Sequence, residues 1–172
     1  MSSLIAAPEL LAAHHLLDTF DSGDDALDSW LKMRARQNQQ SGASRTFVIC
    51  EENRVVGFYA LASSAVALAE ATGRVRRNMP NPIPVVVLAR LAIDRTRQGV
   101  GLGRALFQDA ALRVINAADV IGIRGLLVHA LSEDAKAFYL RLGLDESPLD
   151  PMTLMTTVAD LRAAFMGNNL TK

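Results

Sequence analysis

The segment 88-LARLAIDRTRQGVGLGRALFQDAALRV-114 joins an apolar strand pattern to a helical pattern and is the most informative part of the sequence about the fold. Three glycines stand at alternate positions in this join: Gly99, Gly101 and Gly103. Glycine lets main-chain N–H groups point into one cavity without a side chain in the way. The helix that follows adds a partial positive charge at its N-terminus. The sequence therefore predicts a turn that binds an anion.

Two familiar phosphate-binding turns do not fit the glycine spacing. A P-loop requires lysine followed by serine or threonine after its last glycine, whereas Gly103 is followed by Arg104 and Ala105. A dinucleotide-binding turn requires G-x-G-x-x-G, and here Arg104 stands where the third glycine belongs. A third pattern, [Q/R]-x-x-G-x-[G/A], fits residues 98–103. The alternative is an ordinary glycine-rich turn without a ligand.

The rest of the chain alternates between helical and strand patterns. A helix is predicted over residues 21–42, with Ser22 as its cap and Gly42 at its end. A strand hairpin follows over residues 44–66, and the proline-rich segment 70–84 is predicted to be a loop. The order then continues as strand, helix, strand, helix and strand, over residues 85–93, 102–118, 125–131, 132–143 and 151–158. Ser132 is predicted to cap the last of these helices. The C-terminal tail is expected to fray.

This element order predicts an α/β fold, an α+β mixed sheet with helices on its faces, in one domain over residues 1–172. Half of the residues are apolar and the net charge is zero. Cys50 is the only cysteine, and its strand context predicts a buried, unreactive thiol. No segment approaches the roughly 20 unbroken apolar residues of a membrane span, and the N-terminus does not resemble a signal peptide. We expect a cytoplasmic protein without a membrane partner.

Positive charge is concentrated in one part of the chain. Residues 74–104 contain seven arginines and one aspartate, a local charge of +6 that the other residues cancel. Such a segment indicates a phosphate-rich partner, while the neutral total argues against indiscriminate nucleic-acid binding. His14 and His15 are too few to hold a metal, and we predict none. His129 lies on a strand pattern and is predicted to be packed.

With its flanking strand and helix, the glycine turn resembles the GNAT acetyltransferase superfamily, in which this motif binds the pyrophosphate of acetyl-CoA. The resemblance implies the GNAT acyl-CoA N-acyltransferase fold, a mixed central sheet with flanking helices. It also implies that acetyl-CoA is the co-substrate and that its amide arm pairs with the strand before the turn. The residues it assigns to acetyl-CoA are Leu91, Ala92, Ile93, Gln98, Gly99, Val100, Gly101, Leu102, Gly103, Arg104 and Ser132.

A second motif, 132-SEDAKAFY-139, is similar to the Asn-x-x-Ala-x-x-x-Tyr pattern of that superfamily. Ala135 and Tyr139 match, and Ser132 stands where asparagine is usual. The resemblance implies that Tyr139 is the catalytic residue, a general acid near the sulfur of coenzyme A. A tyrosine titrates near ~10 and a thiol near ~8.5, so full proton transfer to the thiolate is uphill by roughly 2 kcal/mol. We therefore expect Tyr139 mainly to donate a hydrogen bond to the leaving sulfur.

Over about residues 10–160 the sequence also resembles the acetyltransferase toxins of bacterial toxin–antitoxin pairs. The segments that carry this resemblance are 44–62, 76–94, 128–144 and 150–155. Those toxins acetylate the α-amino group of an amino acid loaded on tRNA, which stalls translation. Their usual partner is a ribbon-helix-helix antitoxin. The resemblance implies the same aminoacyl-tRNA substrate and antitoxin here, together with a homodimer.

The residue types agree with that substrate independently of the resemblance. Arginine is the side chain best shaped for bidentate contact with phosphate. The arginines predicted to bind RNA are Arg74, Arg76, Arg77 and Arg90. No Asp or Glu stands out as a general base, and an α-amino group near ~8 needs less help than a lysine amine near ~10.4. Two alternatives are acetylation of a small amine or a protein N-terminus, and a non-catalytic acetyl-CoA-binding regulator.

Overall fold

The computed structural model of the chain describes residues 4–166. The chain divides into two compact units. The first unit comprises Met1–Ala62 and Ala89–Asp109, and the second comprises Ser63–Leu88 and Ala110–Lys172. Within residues 4–166, no helix is both long and apolar enough to cross a membrane. The single domain over residues 1–172 stays a prediction.

The first unit begins with a short strand, two helices and a hairpin. These elements are β1 (Glu9–Leu10), α1 (Asp25–Met33), α2 (Ala35–Ser41), β2 (Arg45–Glu51) and β3 (Arg54–Val66). β1 pairs antiparallel with β2, and β2 pairs antiparallel with β3. The last residues of β3 belong to the second unit. The predicted hairpin is confirmed, whereas β1 is too short for a periodic pattern to show it.

The helix predicted over residues 21–42 is two helices rather than one. Asp24, not Ser22, caps α1, because the Asp24 carboxylate accepts hydrogen bonds from the second and third amides of the helix start. Ser22 instead donates its hydroxyl to a carboxylate in the first turn, at 2.6 Å. The break lies at Arg34, whose backbone leaves the helical region at φ −121°. Gly42 ends α2 in left-handed backbone, as predicted.

Aromatic packing forms the centre of the first unit. Phe58 on β3 is fully buried. The ring of Phe20 meets it edge-on at 5.5 Å between centroids, and Trp30 of α1 stacks on it at 6.1 Å. Leu31, the next residue of α1, is also fully buried. Since burial of a large apolar side chain is worth roughly 1.5–3 kcal/mol, this packing explains the apolar face of the helix.

The second unit contains the parallel part of the sheet. The remaining elements of the chain are α3 (Gly73–Arg76), β4 (Ile83–Ile93), α4 (Leu102–Ala118), β5 (Gly125–His129), α5 (Glu133–Arg141), β6 (Asp145–Glu146), β7 (Thr153–Thr157) and α6 (Val158–Phe165). β4 and α4 run through both units. β4 pairs parallel with β5, while β7 pairs antiparallel with β5 and β6. The strand order β1-β2-β3-β4-β5-β7-β6 confirms the predicted mixed sheet.

Three predictions in this part of the chain differ from the structure. The proline-rich segment 70–84 is not entirely loop, because the Thr72 hydroxyl caps the one-turn helix α3. The strand predicted over residues 125–131 ends at His129. The C-terminal segment forms α6, capped by Thr157, where fraying was expected. Residues 167–172 of that tail lie outside the described part of the chain.

Gly125 is required where β5 begins. A Cβ at this position would lie 2.1 Å from the carbonyl oxygen of Thr156, much closer than nonbonded carbon and oxygen atoms approach each other. Gly125 pairs with Thr157 in the antiparallel ladder. Any larger residue would therefore push β5 and β7 apart.

Candidate active site

A buried carboxylate fastens the turn that follows β4. Asp94 is 2% exposed and accepts hydrogen bonds from the amide of Asp21 at 3.0 Å and from the amide and hydroxyl of Thr96 at 3.0 and 2.7 Å. Burial alone would raise the pKa of Asp94, but these hydrogen bonds lower it below the usual value. The ionised carboxylate therefore holds the start of the turn against the loop before α1.

An ion pair secures the next residues of the turn. Arg97 donates its Nε to the carboxylate of Glu51 at the end of β2. Glu51 is 9% exposed, and the hydrogen bond from Arg97 lowers its pKa. The Glu51 side chain is 10% exposed and that of Arg97 is 33% exposed, so removal of Arg97 would leave the more buried charge of Glu51 without its partner. The pair thus favours one position of the turn over others.

Gln98 supports the turn with its side chain. Its Nε2 donates to the carbonyl oxygens of Ile93 and Ser22, at 2.8 Å in each case. The side-chain amide is therefore bound within the protein, which leaves the main chain of Gln98 as the part that can contact a ligand. The carbonyl oxygen of Ile93, another predicted contact, is likewise engaged.

Gly99 and Gly101 give the turn an open backbone. Their φ angles are +80° and +87°, in the left-handed region that favours glycine. A Cβ on either residue would meet no described atom within 4 Å, so the space beside them is accessible to a ligand. α4 starts directly afterwards at Leu102, and the first amides of a helix have no partner inside it. The structure thus contains the predicted strand, glycine turn and helix N-terminus.

The other predicted contacts with acetyl-CoA differ in exposure. Val100 is 70% exposed and Arg104 in the first turn of α4 is exposed, whereas Gly103 is half-buried. Leu91 is half-buried, and Ala92 is buried in the same core as Phe58. The side chains of β4 therefore face the interior here. All of these residues belong to the first unit.

Ser132 and Tyr139 lie on α5, in the second unit. The Ser132 hydroxyl accepts a hydrogen bond from the amide of Ala135 at 3.1 Å and caps the helix, as predicted. Tyr139 is 8% exposed, and burial raises its pKa. Its ring packs edge-on against Phe138, with 5.1 Å between centroids. At neutral pH Tyr139 therefore keeps its proton and is a hydrogen-bond donor.

The predicted RNA-binding arginines are not equivalent. Arg74 forms a bidentate pair with Asp160, with Nε–Oδ2 and Nη2–Oδ1 distances of 2.8 and 2.5 Å. This pair lowers the pKa of Asp160 and neutralises Arg74 within the chain. Arg76 and Arg77 are exposed, and no carboxylate among residues 4–166 forms an ion pair with them. Arg76 and Arg77 therefore carry charges that an external phosphate can contact.

Arg124 joins these arginines, although no pattern in the sequence indicates it. It stands just before β5 and donates Nε to the carbonyl oxygen of Val75 at 3.0 Å and Nη2 to that of Arg74 at 2.7 Å. Arg74, Arg77 and Arg124 line a small cavity of about 130 Å³. A lone arginine before an apolar strand carries no periodic signal, so only the fold brings it to this position.

Arg90 has a different environment, in the first unit. Its guanidinium lies over the ring of Trp30, 5.1 Å from the centroid, and its Nη1 donates to the carbonyl oxygen of Ala89 at 2.7 Å. Such a stack contributes about 0.5–1 kcal/mol at an exposed site. Arg90 therefore packs on α1, and its contact with RNA stays a prediction.

One of the three histidines, His129, differs from prediction in its exposure. His129, predicted to be packed, is exposed at the end of β5. His15 is 3% exposed; its Nδ1 accepts from a main-chain amide at 2.8 Å and its Nε2 lies 2.7 Å from the Glu9 carboxylate. Glu9, His14 and His15 bring their polar atoms within 4.8 Å of one another. Both nitrogens of His15 are already engaged within the chain, and the predicted absence of a metal stays a prediction.

Cys50 is buried, as the sequence predicts. Burial and then the charge of Glu9 raise the pKa of the Cys50 thiol to about 11. Since only the thiolate is a good nucleophile, Cys50 has a structural place in the core of the first unit.

Residues 42–143 match the model of the acetyltransferase (GNAT) domain. This range contains both the glycine turn and Tyr139. The chain belongs to the GNAT acetyltransferase family, which confirms the predicted fold and the predicted N-acetyltransferase activity.

Toxins are among the most similar known proteins. The chain is 51% identical over 158 residues to the tRNA-acetylating toxin of Mycobacterium tuberculosis (strain ATCC 25618 / H37Rv), covering 92% of this chain and 95% of that toxin. It is similar to the solved structure of AtaT complexed with acetyl-methionyl-tRNAfMet, with a TM-score of 0.87, 30% identity and coverage of 94% and 99% of the two chains.

A second solved structure shows a similar toxin with other molecules bound. It is a tyrosine-to-phenylalanine mutant of AtaT bound to the C-terminus of the antitoxin AtaR and acetyl-CoA. Its TM-score is 0.82 and its identity 30%, with coverage of 94% of this chain and 98% of that chain. The predicted resemblance to toxin acetyltransferases is thereby confirmed.

Proposed function

We propose that this chain is the toxin of a toxin–antitoxin pair and acetylates the α-amino group of an aminoacyl-tRNA. An acetylated amine cannot attack a peptidyl ester, so the modified tRNA no longer serves elongation. One observation carries the proposal: a GNAT glycine turn and a buried tyrosine occur in a chain 51% identical to a tRNA-acetylating toxin. Acetyl-CoA supplies the acetyl group.

The main chain of residues 98–104 binds the pyrophosphate of acetyl-CoA in this proposal. The open, left-handed backbone at Gly99 and Gly101 and the N-terminus of the 17-residue helix α4 support this role. Arg104 adds a positive charge in the first turn of α4. The main chain of Leu91, Ala92 and Ile93 pairs with the amide arm, and Ser132 contacts the same arm. The acetyl-CoA-bound AtaT mutant supports this choice of donor.

The reaction is direct attack of the amine on the thioester. The new C–N bond forms, the C–S bond breaks, and sulfur leaves as a thiolate that Tyr139 stabilises with a hydrogen bond. Burial raises the pKa of Tyr139, so full proton transfer from it is less favourable than the roughly 2 kcal/mol expected for unperturbed groups. One well-placed donor typically contributes about 10²–10³-fold in rate. Hydrogen bonding alone therefore suffices for a substantial catalytic role.

The acceptor end of tRNA meets the arginines of the second unit. Arg76 and Arg77 supply the unpaired charges, and Arg74 and Arg124 supply positive charge beside them. Since phosphate contacts position a nucleic acid without reading its bases, these arginines bring the acceptor end to the enzyme and do not select the amino acid. Arg90 contributes after leaving its stack on Trp30.

The proposal includes a partner and a location. A ribbon-helix-helix antitoxin neutralises the enzyme by covering the active site or the arginine surface; the AtaT mutant bound to the C-terminus of AtaR supports a partner of this kind. Because charged tRNA is the substrate, the enzyme works in the cytoplasm. The homodimer stays a prediction from the family resemblance.

The test incubates the purified protein with acetyl-labelled acetyl-CoA and a mixture of charged tRNAs. Label is expected on aminoacyl-tRNA, and mild alkali should release it as N-acetyl amino acid. Uncharged tRNA is the matched control and should stay unlabelled. Label found only on small amines or protein N-termini would contradict the proposal.

A further inference from the structure

A cavity of about 340 Å³ lies within the second unit, beside the end of β5. This volume is within the usual range for a small-molecule site, which begins near ~300 Å³. Buried Val66 and Leu127 form part of its apolar lining, and exposed Glu70, His129 and Asp150 form part of its polar lining. The cavity therefore combines room for a small side chain with ionisable groups.

Hydrogen bonds on one side of this cavity decide which ring nitrogen of neutral His129 carries the proton. Oγ1 of Thr153 donates to Oδ2 of Asp150 at 2.8 Å, and Nδ1 of His129 lies 2.9 Å from the same Oγ1. The hydroxyl has one proton, and it goes to Asp150. Nδ1 must therefore be the donor to Thr153, so neutral His129 carries its proton on Nδ1 and has a lone pair on Nε2.

The backbone holds these three residues in place. His129 and Thr153 are direct partners in the antiparallel pairing of β5 and β7. Oδ1 of Asp150 accepts the amide of Met152 at 2.9 Å, and this bond and the one from Thr153 lower the pKa of Asp150. Asp150 is therefore ionised at neutral pH and acts only as an acceptor, as the assignment of the His129 tautomer requires.

The charge of the cavity favours one class of ligand. Two carboxylates, Glu70 and Asp150, line it, and no Lys or Arg of residues 4–166 does. Lys136, which lies near Asp150, is paired with Glu146 at 2.8 Å. Such a site attracts an ammonium group and repels a carboxylate. An amino acid esterified to tRNA presents only the ammonium group, whereas a free amino acid carries both.

We infer that this cavity holds the aminoacyl group of the substrate and that Nε2 of His129 takes a proton from its α-ammonium. The inference rests on the proposed function and names the acceptor subsite and the base. The α-ammonium becomes a neutral amine and His129 becomes an imidazolium that still donates from Nδ1 to Thr153. The amine then attacks the thioester, its second proton ends on the sulfur, and exposed His129 returns the first proton to water.

This assignment names His129 as the base, whereas the sequence pattern marked no Asp or Glu for that role. Thr153 and Asp150 do not touch the amine; they are positioning residues that keep the proton of His129 on Nδ1. The residues that form the cavity come from the end of β3, from Glu70 after it, from β5 and from residues 147–153. Their separation along the chain hides the site from a sequence pattern.

The decisive variant is His129→Gln, and His14→Gln is the matched control because His14 is also exposed. Glutamine keeps a polar side chain but has no basic nitrogen. We expect His129→Gln to slow single-turnover acetylation of aminoacyl-tRNA at neutral pH by up to about tenfold, because roughly a tenth of an amine that titrates near ~8 is already neutral at pH 7, while His14→Gln does not. Thr153→Val keeps the imidazole of His129 but removes the hydroxyl that orients it, so the rate defect of this variant should be smaller than that of His129→Gln.

The pH dependence separates a base from a structural role. The α-ammonium titrates near ~8, so above that pH the amine is neutral without a base. The defect of His129→Gln should therefore shrink as the pH is raised. The charged groups that line the cavity with His129 are Glu70 and Asp150, and Lys136 lies near Asp150; all three are the same in both proteins. A defect of constant size at every pH, or no defect at neutral pH, would overturn the inference.

A tRNA-free substrate distinguishes this inference from the proposed function. Amino acid methyl esters present the same ammonium group, and free amino acids are their control. Acetylation of methyl esters that needs His129, without acetylation of aminoacyl-tRNA, would refute the proposed function and support the cavity. Equal acetylation of aminoacyl-tRNA by the wild type and His129→Gln at neutral pH would overturn the inference and leave the proposed function standing. Preference for free amino acids, or acetylation of neither substrate, would also overturn the inference.

Discussion

Nε2 of Gln98 lies 2.8 Å from the carbonyl oxygen of Ile93, so one side chain ties the end of β4 to the glycine turn. The same nitrogen reaches the carbonyl oxygen of Ser22 at 2.8 Å. A turn that binds a pyrophosphate through its main chain must be held in shape before the ligand arrives. Gln98 therefore affects affinity through the position of the backbone.

Gln98→Ala should weaken acetyl-CoA binding without unfolding the protein. A typical hydrogen bond contributes about 0.5–1.5 kcal/mol, and two are lost, so the Kd should rise roughly tenfold. Isothermal titration with acetyl-CoA measures this. Gln108→Ala, on the exposed surface of α4, is the control and should bind normally. An unchanged Kd for Gln98→Ala would show that the turn needs no such support.

Gly101→Ala should damage both the turn and its ligand contact. At φ +87°, an alanine costs roughly 1–2 kcal/mol, and its methyl group would occupy the open space beside the turn. We expect a modest fall in the melting temperature and at least tenfold weaker acetyl-CoA binding. Gly122→Ala is the control, because Gly122 has no positive φ and no neighbour within 4 Å of a Cβ. Normal acetyl-CoA binding by Gly101→Ala would argue against main-chain recognition there.

Glu51→Gln should lower stability at neutral pH and flatten its acid dependence. The pKa of Glu51 is lowered from 4.5 by its hydrogen bond from Arg97, so the carboxylate stabilises the fold above about pH 4.5 and loses this effect as the pH falls. The free energy of unfolding in urea, measured between pH 7 and pH 3, should fall less in the variant. Glu52→Gln, in the exposed turn of the hairpin, should follow the wild type. Identical profiles for Glu51→Gln and the wild type would contradict this account of the pair.

Charge reversal at Arg76 and Arg77 should weaken acetylation of aminoacyl-tRNA and leave acetyl-CoA affinity intact. The loss should be larger at low salt, because contacts between arginine and phosphate are screened by ions. Initial rates at several tRNA concentrations and salt concentrations give the effect on KM. Arg45→Glu, at an exposed position on β2, controls for net charge. Equal loss of tRNA acetylation and acetyl-CoA binding would indicate misfolding and count against a tRNA-facing surface.

Local patterns predicted the strand, turn and helix around residues 98–104, because glycine spacing and apolar periodicity are properties of adjacent residues. They also predicted that Ser132 caps α5. The predicted cap of the first helix was wrong, because Ser22 and Asp24 are both good capping residues and only the backbone angles decide between them. The predicted end of β5 was wrong as well, because the length of a strand depends on the neighbouring strands with which it pairs.

The parts of the site that depend on distant residues were not predictable. His129 gains its hydrogen-bonded neighbour from Thr153, 24 residues further along the chain. Arg124 reaches Arg74 across 50 residues. The bidentate partner of Arg74, Asp160, is 86 residues away. The sequence shows how many charges the chain carries, whereas the fold decides which of them remain unpaired.

The most direct test of the central claim is the single-turnover rate of acetyl transfer to aminoacyl-tRNA, measured for the wild type and Tyr139→Phe at saturating acetyl-CoA. We predict that the wild type acetylates the charged tRNA and that Tyr139→Phe is slower by about 10²–10³-fold. The acetyl-CoA Kd and the melting temperature of the variant should stay close to those of the wild type. A fully active Tyr139→Phe enzyme, or a wild type that leaves charged tRNA unmodified, would contradict the account.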